Sequence, residues 1–557
     1  LMQTSAGSMP QDLTRVGDRL FFTAKTGPAA QRELWWLDAG AGGLPQRAEA
    51  SGTFGLDAGS PVAFNGGVAF SGSLPGAGNR YAVWWTAGGG ALVRLTALDL
   101  LGPAQELVDA GSRLYFFATP DAPNVGNELW WSNGAPLAAT LLNLSAGAES
   151  TALPSDAEMV AFGAGVAFRW NAGSHGQGTE LGLSNGVFAT RIDINPGASS
   201  SNPSQLTRAG TKLFFSATNN FGTEVWASDG TPIGTQLLID WASGGAGSNP
   251  TQLTAVGNRL VWGASVIPCC PIGIPTFSLL VSDGTPGGTL SVLPTQLLGA
   301  ASDGSRALLQ TGNGIYTTDG TFAGTQLALP SLAPGTINPF FASNAGAIAA
   351  LAPGLFALAG VSGGGNNLEL WISDGTIAGS FQVADSLFGP GGSSPGQGGE
   401  IVRVGEQVFF SANLPWTGSE LHSVDFGATG GAIAAVQGAG CGSAASGLSA
   451  SAEPRLGQPL ALQVSSAAPA APVALYFDLD LAPLGPTGGC PILLPNATFL
   501  LGGTTGAAGQ ATFPLLIGTN PNLVGQALYL QGAVLAVGEP FLGLVSLTNA
   551  LEILIGP

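Results

Sequence analysis

The chain repeats itself, and this repeat limits the fold more than any other feature of the sequence. Four segments share a strand-like run that ends in Asp-Gly-Thr, and they begin at Glu224, Ser278, Gly314 and Glu369. Degenerate copies begin at Glu33, Ala82, Glu128, Glu180 and Glu420. The mean period is about 48 residues, which is typical of propeller blades and longer than ankyrin or leucine-rich units.

Each repeat carries a second signature upstream of the first. The segment 13–22, Leu-Thr-Arg-Val-Gly-Asp-Arg-Leu-Phe-Phe, recurs over 206–215 and 253–262 and, one residue shorter, over 402–410. It indicates a strand, a tight glycine turn and a second strand. The run before Asp-Gly indicates a third strand, and we expect a type I′ turn at Asp-Gly, followed by a fourth strand. Four antiparallel strands per repeat predict a propeller blade.

The third strand is apolar on both faces. The residue after the Glu position is aliphatic in every repeat, and tryptophan is the commonest residue at the next position. Neighbouring strand residues point to opposite faces, so both faces of each sheet are expected to be buried between blades. The prediction for residues 1–440 is therefore a large all-β propeller of eight or nine four-stranded blades. The tryptophans of this column are Trp35, Trp84, Trp130, Trp226 and Trp371.

The repeat stops near Cys441, and residues 441–557 have a different texture. Apolar strand-like runs at 460–464, 473–477, 511–517, 527–531 and 550–555 are separated by Gly and Pro clusters. This pattern predicts a C-terminal β-sandwich of immunoglobulin or jelly-roll type.

The string Glu-Leu-Trp-x-x-Asp-Gly-Thr-x-x-Gly-Thr resembles the repeat of large secreted bacterial ELWxxDGT proteins, and 224–235 is the cleanest copy. The C-terminal runs at 526–531 and 548–556 resemble, more loosely, a module of secreted planctomycete-type proteins. The resemblance implies an extracellular, cell-surface protein and no catalytic residues. The chain starts at Leu1, and we expect a processed form without its signal peptide.

Charge is scarce, and this excludes several classes of protein. Only 9% of the 557 residues are charged, and 34 acidic against 16 basic residues give a net charge of −18. A nucleic-acid partner is not expected, because such proteins carry a basic stripe. No segment is long and apolar enough for a transmembrane helix. Disorder is excluded by the apolar content of 45%.

The glutamates and the Asp-Gly pairs allow two readings each. The glutamate column could form a ring of carboxylates that binds cations or sugars, or it could bond to backbone and Thr groups of the next blade. We favour the second reading, and we assign the Asp-Gly pairs to turns. The framework residues are Glu33, Glu128, Glu180, Glu224, Glu369, Glu420, Asp229, Gly230, Asp283, Gly284, Asp319, Gly320, Asp374 and Gly375.

The remaining candidates are cysteines, histidines and paired oxygen ligands. We expect a Cys441–Cys490 disulfide, whereas the adjacent Cys269 and Cys270 could form a vicinal disulfide, bridges to other chains or free thiols. No cofactor is indicated beyond calcium, for which paired oxygen ligands at 478/480 and 193/195 are a weak signal. His422 occupies the tryptophan position of its repeat, and His175 lies in a Gly-rich loop. Neither histidine has a partner at metal spacing.

These observations lead to a non-enzymatic, structural or adhesive protein that assembles with copies of itself into a fibre or surface layer. The motivating feature is the low charge, because uncharged surface commonly marks interfaces. The N-terminal residues Leu1, Met2, Gln3 and Thr4 could complete a blade in this chain or in a neighbouring one. The alternative is an extracellular module that holds a glycan or a protein on one propeller face, with surface glycans as partners. A hydrolase would need a carboxylate or histidine cluster that the sequence does not display.

Overall fold

The computed structural model describes residues 8–25, 31–39, 45–48, 57–88, 92–145, 148–152, 156–171, 178–266, 275–330, 348–361, 368–376, 380–384, 400–414, 418–425, 433–437, 447–450, 459–465, 470–478, 484–487, 490–492, 498–507, 509–516, 527–535 and 545–554. Regular structure in these ranges is β-strand, apart from a 3₁₀ turn at Pro286–Gly288. No helix in them has the length and hydropathy needed to cross a bilayer.

Nine consecutive four-stranded antiparallel meanders make up the repeat region, so the predicted propeller is confirmed with nine blades. Blades 1 to 3 contain β1 (Gln11–Val16), β2 (Arg19–Lys25), β3 (Arg32–Asp38), β4 (Gln46–Arg47), β5 (Gly59–Phe64), β6 (Gly67–Ser73), β7 (Tyr81–Thr86), β8 (Val93–Arg94), β9 (Gln105–Asp109), β10 (Leu114–Ala118), β11 (Glu128–Ser132) and β12 (Thr140–Leu142). Blades 4 to 6 contain β13 (Met159–Phe162), β14 (Gly165–Asn171), β15 (Thr179–Ser184), β16 (Ala189–Ile192), β17 (Ser204–Ala209), β18 (Lys212–Asn219), β19 (Gly222–Ser228), β20 (Gln236–Leu237), β21 (Thr251–Val256), β22 (Arg259–Val266), β23 (Thr276–Ser282) and β24 (Leu290–Leu293). Blades 7 to 9 contain β25 (Leu297–Ser302), β26 (Ala307–Thr311), β27 (Gly314–Thr318), β28 (Gln326–Pro330), β29 (Ile348–Ala352), β30 (Leu355–Val361), β31 (Leu368–Ser373), β32 (Ser380–Ala384), β33 (Ile401–Val404), β34 (Gln407–Leu414), β35 (Gly418–Asp425) and β36 (Ile433–Gln437).

The blades close into a ring. The first strands of successive blades lie side by side all the way round, and β33 of blade 9 lies against β1 of blade 1. An apolar cluster fills the same junction, where Leu20 and Phe22 of blade 1 pack with Val404 and Phe409 of blade 9. Each blade is complete within its own repeat, so the ring closes without an exchanged strand. The first strands therefore surround a central channel.

Alternate residues of the third strands pack toward opposite neighbours, as the apolar pattern on both faces predicts. In blade 5, Trp226 belongs to the cluster shared with blade 4, whereas Val225 belongs to the cluster shared with blade 6. In blade 4 the tryptophan is replaced by Gly182, and a Cβ at this glycine would lie 2.6 Å from the ring of Phe168. The Phe168 ring thus occupies the space that a larger residue would need.

The C-terminal strands form two sheets packed face to face, which confirms the sandwich. One sheet contains β37 (Gly447–Ala450), β38 (Pro459–Ser465) and β43 (Gln510–Leu516). The other contains β39 (Pro472–Asp478), β42 (Thr498–Thr504), β44 (Ala527–Leu535) and β45 (Val545–Leu554), and a separate hairpin contains β40 (Leu484–Thr487) and β41 (Cys490–Ile492). Residues of both sheets, including Leu462 and Leu530, form one core. β45 also pairs with β36, so this sheet continues into blade 9.

Candidate functional site

Buried glutamates tie neighbouring blades together at the start of the third strands. Glu180 of blade 4 accepts hydrogen bonds from the Ser201 hydroxyl at 2.5 Å and the Ser201 N–H at 2.9 Å. It also accepts one from the Ile194 N–H at 2.8 Å. Ser201 lies in the linker that leads into blade 5, so the carboxylate holds the chain as it passes from one blade to the next.

The same arrangement recurs around the ring. Glu128 accepts from the Thr151 hydroxyl, Glu224 from the Ser248 hydroxyl, and Glu420 of blade 9 from Ser8, which precedes blade 1. Burial raises the pKa of each of these glutamates, against the opposing effect of the hydrogen bonds. Glu33 instead lies 3.2 Å from Arg47. Glu369 lies in β31, and its side chain is outside the described residues.

The tryptophan column lies in the junctions between blades and lines no open site. Trp130, Trp226 and Trp371 are 2%, 9% and 7% exposed, whereas Trp35 and Trp84 are half-buried. Each belongs to, or packs against, the apolar cluster shared with the preceding blade. The column is thus part of the packing between blades.

In blades 5, 6 and 7 the Asp-Gly-Thr segments form loops of seven residues, so the two-residue type I′ turn expected there is wrong. In blade 5 the loop runs from 229 to 235 between β19 and β20. The Asp229 carboxylate accepts from the N–H and hydroxyl of Thr231 at 2.8 and 2.7 Å. Gly230 has φ +93°, whereas the φ angle of Asp229 is not positive. A type I′ turn needs both residues at positive φ, and the carboxylate instead nucleates a longer turn.

The second glycine and threonine of the motif complete this loop. A Cβ at Gly234 would collide with the Asp229 carboxylate. The Gly234 N–H donates to the Thr231 hydroxyl, and the Thr235 hydroxyl bonds to Thr231 O at 2.7 Å. The loops at Asp283 and Asp319 repeat these hydrogen bonds, and Asp374 repeats those to its threonine. The polar atoms that recur in the motif therefore bond to one another inside the loop.

Basic residues fix these loops to the preceding blade. Lys212 of blade 5 donates to Asp283 O at 3.1 Å and Gly284 O at 2.9 Å, both in blade 6. Arg19 of blade 1 donates to Ala87 O of blade 2 at 2.6 Å. In blade 7, Gly320 packs against the Arg259 side chain of blade 6. Neighbouring blades are thus connected by the buried glutamates at one end of the ring and by these basic residues at the other.

Carboxylates mark one end of the central channel. The position just before the first apolar residue of each inner strand is unusual in its backbone. In five blades it has φ between +50° and +57°, at Asp12, Ser60, Glu106, Gln205 and Gln252. We call this end, defined by Asp12, Glu106, Glu158 and Glu400, the acidic end. Glu158 accepts from the Leu206 N–H of the next blade, and Glu400 of blade 9 accepts from the Leu13 N–H of blade 1.

Arginines mark the opposite end. Arg15, Arg208 and Arg403 each lie three residues after the position that carries the carboxylates, and we call this end the arginine end. The Nε atoms donate to the carbonyl oxygens of Gly17, Gly210 and Gly405 at 3.0, 3.0 and 2.8 Å. Arg15 and Arg208 are exposed. Arg403 also pairs with Glu406, whose Oε2 lies 3.2 Å from its Nη2. A guanidinium has five N–H donors, so the turn contact engages only part of the capacity of Arg15 and Arg208.

Electrostatics at the acidic end favour the protonated carboxyl. Burial raises the pKa of Glu400 to about 7, and the charge of Asp12 acts in the same direction, whereas the Leu13 N–H opposes both. Burial and the charge of Glu158 raise the pKa of Glu106. A cationic ligand group at this end would favour the ionised carboxylates.

Other predicted sites do not converge. No group of three or more His, Cys, Asp or Glu residues that could hold a metal ion occurs in the described ranges. Cys269, Cys270, Cys441 and His175, like the N-terminal residues 1–4, lie outside the described residues, and Cys490 begins β41 with its side chain not described. His422 stacks on Phe410 at 5.8 Å, and its Nε2 is buried without a hydrogen-bond partner.

One groove lies on the arginine-end face beside the short loop 185–188 of blade 4. It has a volume of about 250 Å³ and is lined by apolar residues, including Phe162, Leu183 and Phe188, together with Asn185. The lining also includes the hydroxyl residues Ser184 and Thr190, but it holds no titratable side chain that could act as a base toward them.

No protein-family model and no curated protein sequence matches the chain. Among solved structures, a prolyl endopeptidase from a study of two such enzymes is similar at 17% sequence identity and a TM-score of 0.35. The match covers 58% of this chain and 48% of that one. The β-propeller domain of the Trilobed protease from Pyrococcus furiosus is similar at 14% sequence identity and a TM-score of 0.32. The match covers 57% of this chain and 94% of that one. Oligopeptidase B from Leishmania major is similar at 10% sequence identity and a TM-score of 0.34. The match covers 56% of this chain and 47% of that one.

The chain spans about half the length of the prolyl endopeptidase, and every TM-score is below 0.5, so the fold assignment rests on the strand pairing described above. The matching structures are peptidases or their propeller domains. They contradict the expected fibre-forming structural or adhesive protein, and this prediction is wrong. The closed ring also removes one premise of that prediction, because no described blade lacks a strand.

The channel residues were missed in the sequence, although a signal was present. The residue before the first apolar position reads Asp12, Glu106, Glu158, Gln205 and Glu400 in five blades. This column is weaker than the Glu-Leu-Trp column because Ser60 and Gln252 interrupt it. The serines and threonines that face the buried glutamates lie in linkers of variable length, which hides their periodicity.

Proposed function

We propose that the propeller is a non-catalytic binding domain that holds a short peptide along its central channel. The observation that carries this proposal is the opposite charge at the two ends of the same inner strands. In blades 9 and 1, which are adjacent, Glu400 and Asp12 lie at the acidic end, and Arg403 and Arg15 lie at the arginine end. Such a wall is complementary to a ligand with one cationic and one anionic end.

The spacing of these charges sets the length of the ligand. Three residues of a β-strand rise about 10 Å in total. An extended peptide spans about 3.3–3.6 Å per residue, so the two terminal charges of a peptide of about three residues match this distance. The α-amino group would lie at the acidic end, and the α-carboxylate would lie near the arginines, which suit carboxylate recognition.

We propose that the channel binds its peptide without cleaving it. The hydroxyl–carboxylate pairs that the described residues form, such as Ser201 with Glu180 and Ser248 with Glu224, are buried between blades and hold the chain there. The predicted alternative, a ligand held by the face loops, is less well supported, because the polar atoms of those loops bond to one another. At the channel wall, Arg15 and Arg208 are exposed and each uses its Nε atom in a turn contact, so the rest of each guanidinium can meet a ligand.

Calorimetric titration with trialanine tests the proposal. Free trialanine is expected to bind at least about tenfold more tightly than its N-acetylated, C-amidated form, because each terminal charge contributes an ion pair of about 1 kcal/mol. Arg15→Gln and Glu400→Gln are each expected to weaken binding by about fivefold. Asp18→Asn, an exposed change on the neighbouring turn, serves as the matched control. Equal affinity for free and capped trialanine would refute a polarised channel.

We also infer that the chain is a secreted member of the ELWxxDGT repeat proteins, with a planctomycete-type C-terminal module. Support comes from the loops at Asp229, Asp283 and Asp319, in which every fixed letter of Asp-Gly-Thr-x-x-Gly-Thr has a hydrogen-bonding or steric task. Fractionation of the source cells with an antibody against the propeller tests the location. Recovery only in the cytoplasm would refute secretion.

A further inference from the structure

The junction between blade 9 and blade 1 differs from the other junctions in how it is connected. Every other pair of neighbouring blades is joined by the chain that runs from one fourth strand to the next first strand. At the seam between blades 9 and 1, the chain instead continues from β36 toward the C-terminal strands. The seam is therefore held by non-covalent contacts alone.

The polar contacts at the seam copy those of the covalent junctions. Ser8 is 1% exposed, its N–H donates to Glu420 Oε1 at 3.0 Å, and its hydroxyl donates to Glu420 Oε2. The Met9 N–H donates to Ser419 O at 2.9 Å. We call Glu420 and the Ser419 carbonyl the seam socket, and we call Ser8-Met9-Pro10 the latch.

Two covalent junctions show what the socket recognises. Ser201-Asn202-Pro203 enters the socket of Glu180, and the Asn202 N–H donates to Thr179 O at 3.1 Å. Ser248-Asn249-Pro250 enters the socket of Glu224. In all three segments serine and proline are buried and the middle residue is exposed. The recognised unit is therefore Ser-X-Pro, with the serine bonded to a buried carboxylate.

The latch is a weaker version of this unit. The middle residue is left-handed in each case, with φ of +48° at Met9 and +45° at both Asn202 and Asn249. Asparagine tolerates this conformation, whereas other side chains with a Cβ find it unfavourable. Asn202 also accepts from Arg169 at 3.0 Å through its side chain, which a methionine cannot do. The seam thus combines a non-covalent joint with a less favourable segment.

We propose that the seam socket is an exchangeable binding site for Ser-X-Pro segments, and that the latch is its resident ligand. A Ser-Asn-Pro segment of a partner would compete with the latch, because it forms the same bonds and adopts the left-handed middle residue more readily. The proposal goes beyond the peptide-binding channel and does not depend on it.

A labelled peptide with the sequence of residues 247–253, Gly-Ser-Asn-Pro-Thr-Gln-Leu, tests this site by fluorescence polarisation on the full chain. Both ends are capped, so the probe lacks the terminal charges that the channel would recognise. Ser8→Ala weakens the latch and is expected to raise the affinity for the probe, whereas Met9→Asn strengthens the latch and is expected to lower it. The two variants should differ by about tenfold, since a left-handed residue costs about 1–2 kcal/mol.

Matched controls separate the seam socket from other surfaces. Glu420→Ala is expected to abolish probe binding, whereas Glu224→Ala, the equivalent change at a covalent junction, is expected to leave it. A probe with alanine in place of serine should not bind. Equal binding to Ser8→Ala and Met9→Asn, or no binding to either, would overturn the proposal.

Hydrogen exchange of the unmodified protein supplies a measurement that needs no variant. Residues 8–13 are expected to exchange faster than residues 201–206, because the linker that leads into 201–206 also joins it to the blade that holds its socket, whereas no such linker joins 8–13 to blade 9. Exchange at equal rates would also overturn the proposal.

Discussion

Replacing Glu400 by glutamine removes a carboxyl group from the seam and keeps its hydrogen bond. Glu400 accepts from the Leu13 N–H, and its pKa is raised to about 7. Gln205 already makes the equivalent contact in the ring, where its Oε1 accepts from the Leu253 N–H at 3.4 Å. The amide is therefore expected to replace the carboxyl group without changing the geometry.

The pH dependence of stability has a definite sign. The folded-state pKa of Glu400 lies above its ordinary value of 4.5, so the stabilising effect of the protonated group is present below pH 4.5 and is lost as the pH rises through 7. The full difference corresponds to about 3.4 kcal/mol, and partial exposure of the side chain reduces this to about 1–2 kcal/mol. Glu400→Gln should thus gain about 1–2 kcal/mol over the natural chain between pH 4 and pH 8.

Urea unfolding at pH 4, 6 and 8, followed by tryptophan fluorescence, measures this difference through the midpoint. The reverse change, Gln205→Glu, places a carboxyl group at a covalent junction and should introduce a pH dependence of the same sign. Parallel midpoints for Glu400→Gln and the natural chain at all three pH values would refute the reasoning, as would a lower midpoint for the variant at pH 8.

Four further outcomes follow from the same contacts. His422→Phe should gain about 3 kcal/mol over the natural chain as the pH falls from 7 to 4, because burial lowers the pKa of His422 to about 4 and the unfolded chain therefore takes up a proton at this residue before the folded chain does. Calorimetry at pH 7 and 4 checks this, and an unchanged difference contradicts it. Gly288→Ala should cost about 1–3 kcal/mol, because a Cβ there meets the Asp283 carboxylate, whereas Gly287→Ala in the same loop meets open space and should cost less than about 0.5 kcal/mol in urea unfolding. Ser201→Ala should cost about 1–3 kcal/mol, because the buried Glu180 carboxylate loses the bond from the Ser201 hydroxyl and keeps only its backbone N–H partners; the exposed Ser199→Ala is the control in thermal melts. Trialanine should bind more tightly at pH 7.5 than at pH 6, since its ammonium group favours ionised Glu400, and equal affinity in calorimetric titration would contradict this role.

Much of the blade could be read from the sequence because its determinants are local. The alternation at Val225 and Trp226 specifies which side chain faces which neighbour, and the glycine turn at Gly210 specifies the first hairpin. The turn type at Asp229 could not be read from the Asp-Gly pair alone. The carboxylate bonds to Thr231 and rests on Gly234, so the conformation depends on residues up to five positions away.

The sequence by itself determined the repeat, the four strands of each blade and the separate texture after Cys441, because turn chemistry and apolar periodicity act over a few residues. Only the tertiary structure decided that there are nine blades, that the ring closes without strand exchange, and that carboxylates and arginines mark opposite ends of the channel. These features depend on groups far apart in the chain: the hydrogen bonds between Ser8 and Glu420 join residues separated by 412 positions. No local pattern specifies such a contact, since it exists only once all nine blades are packed.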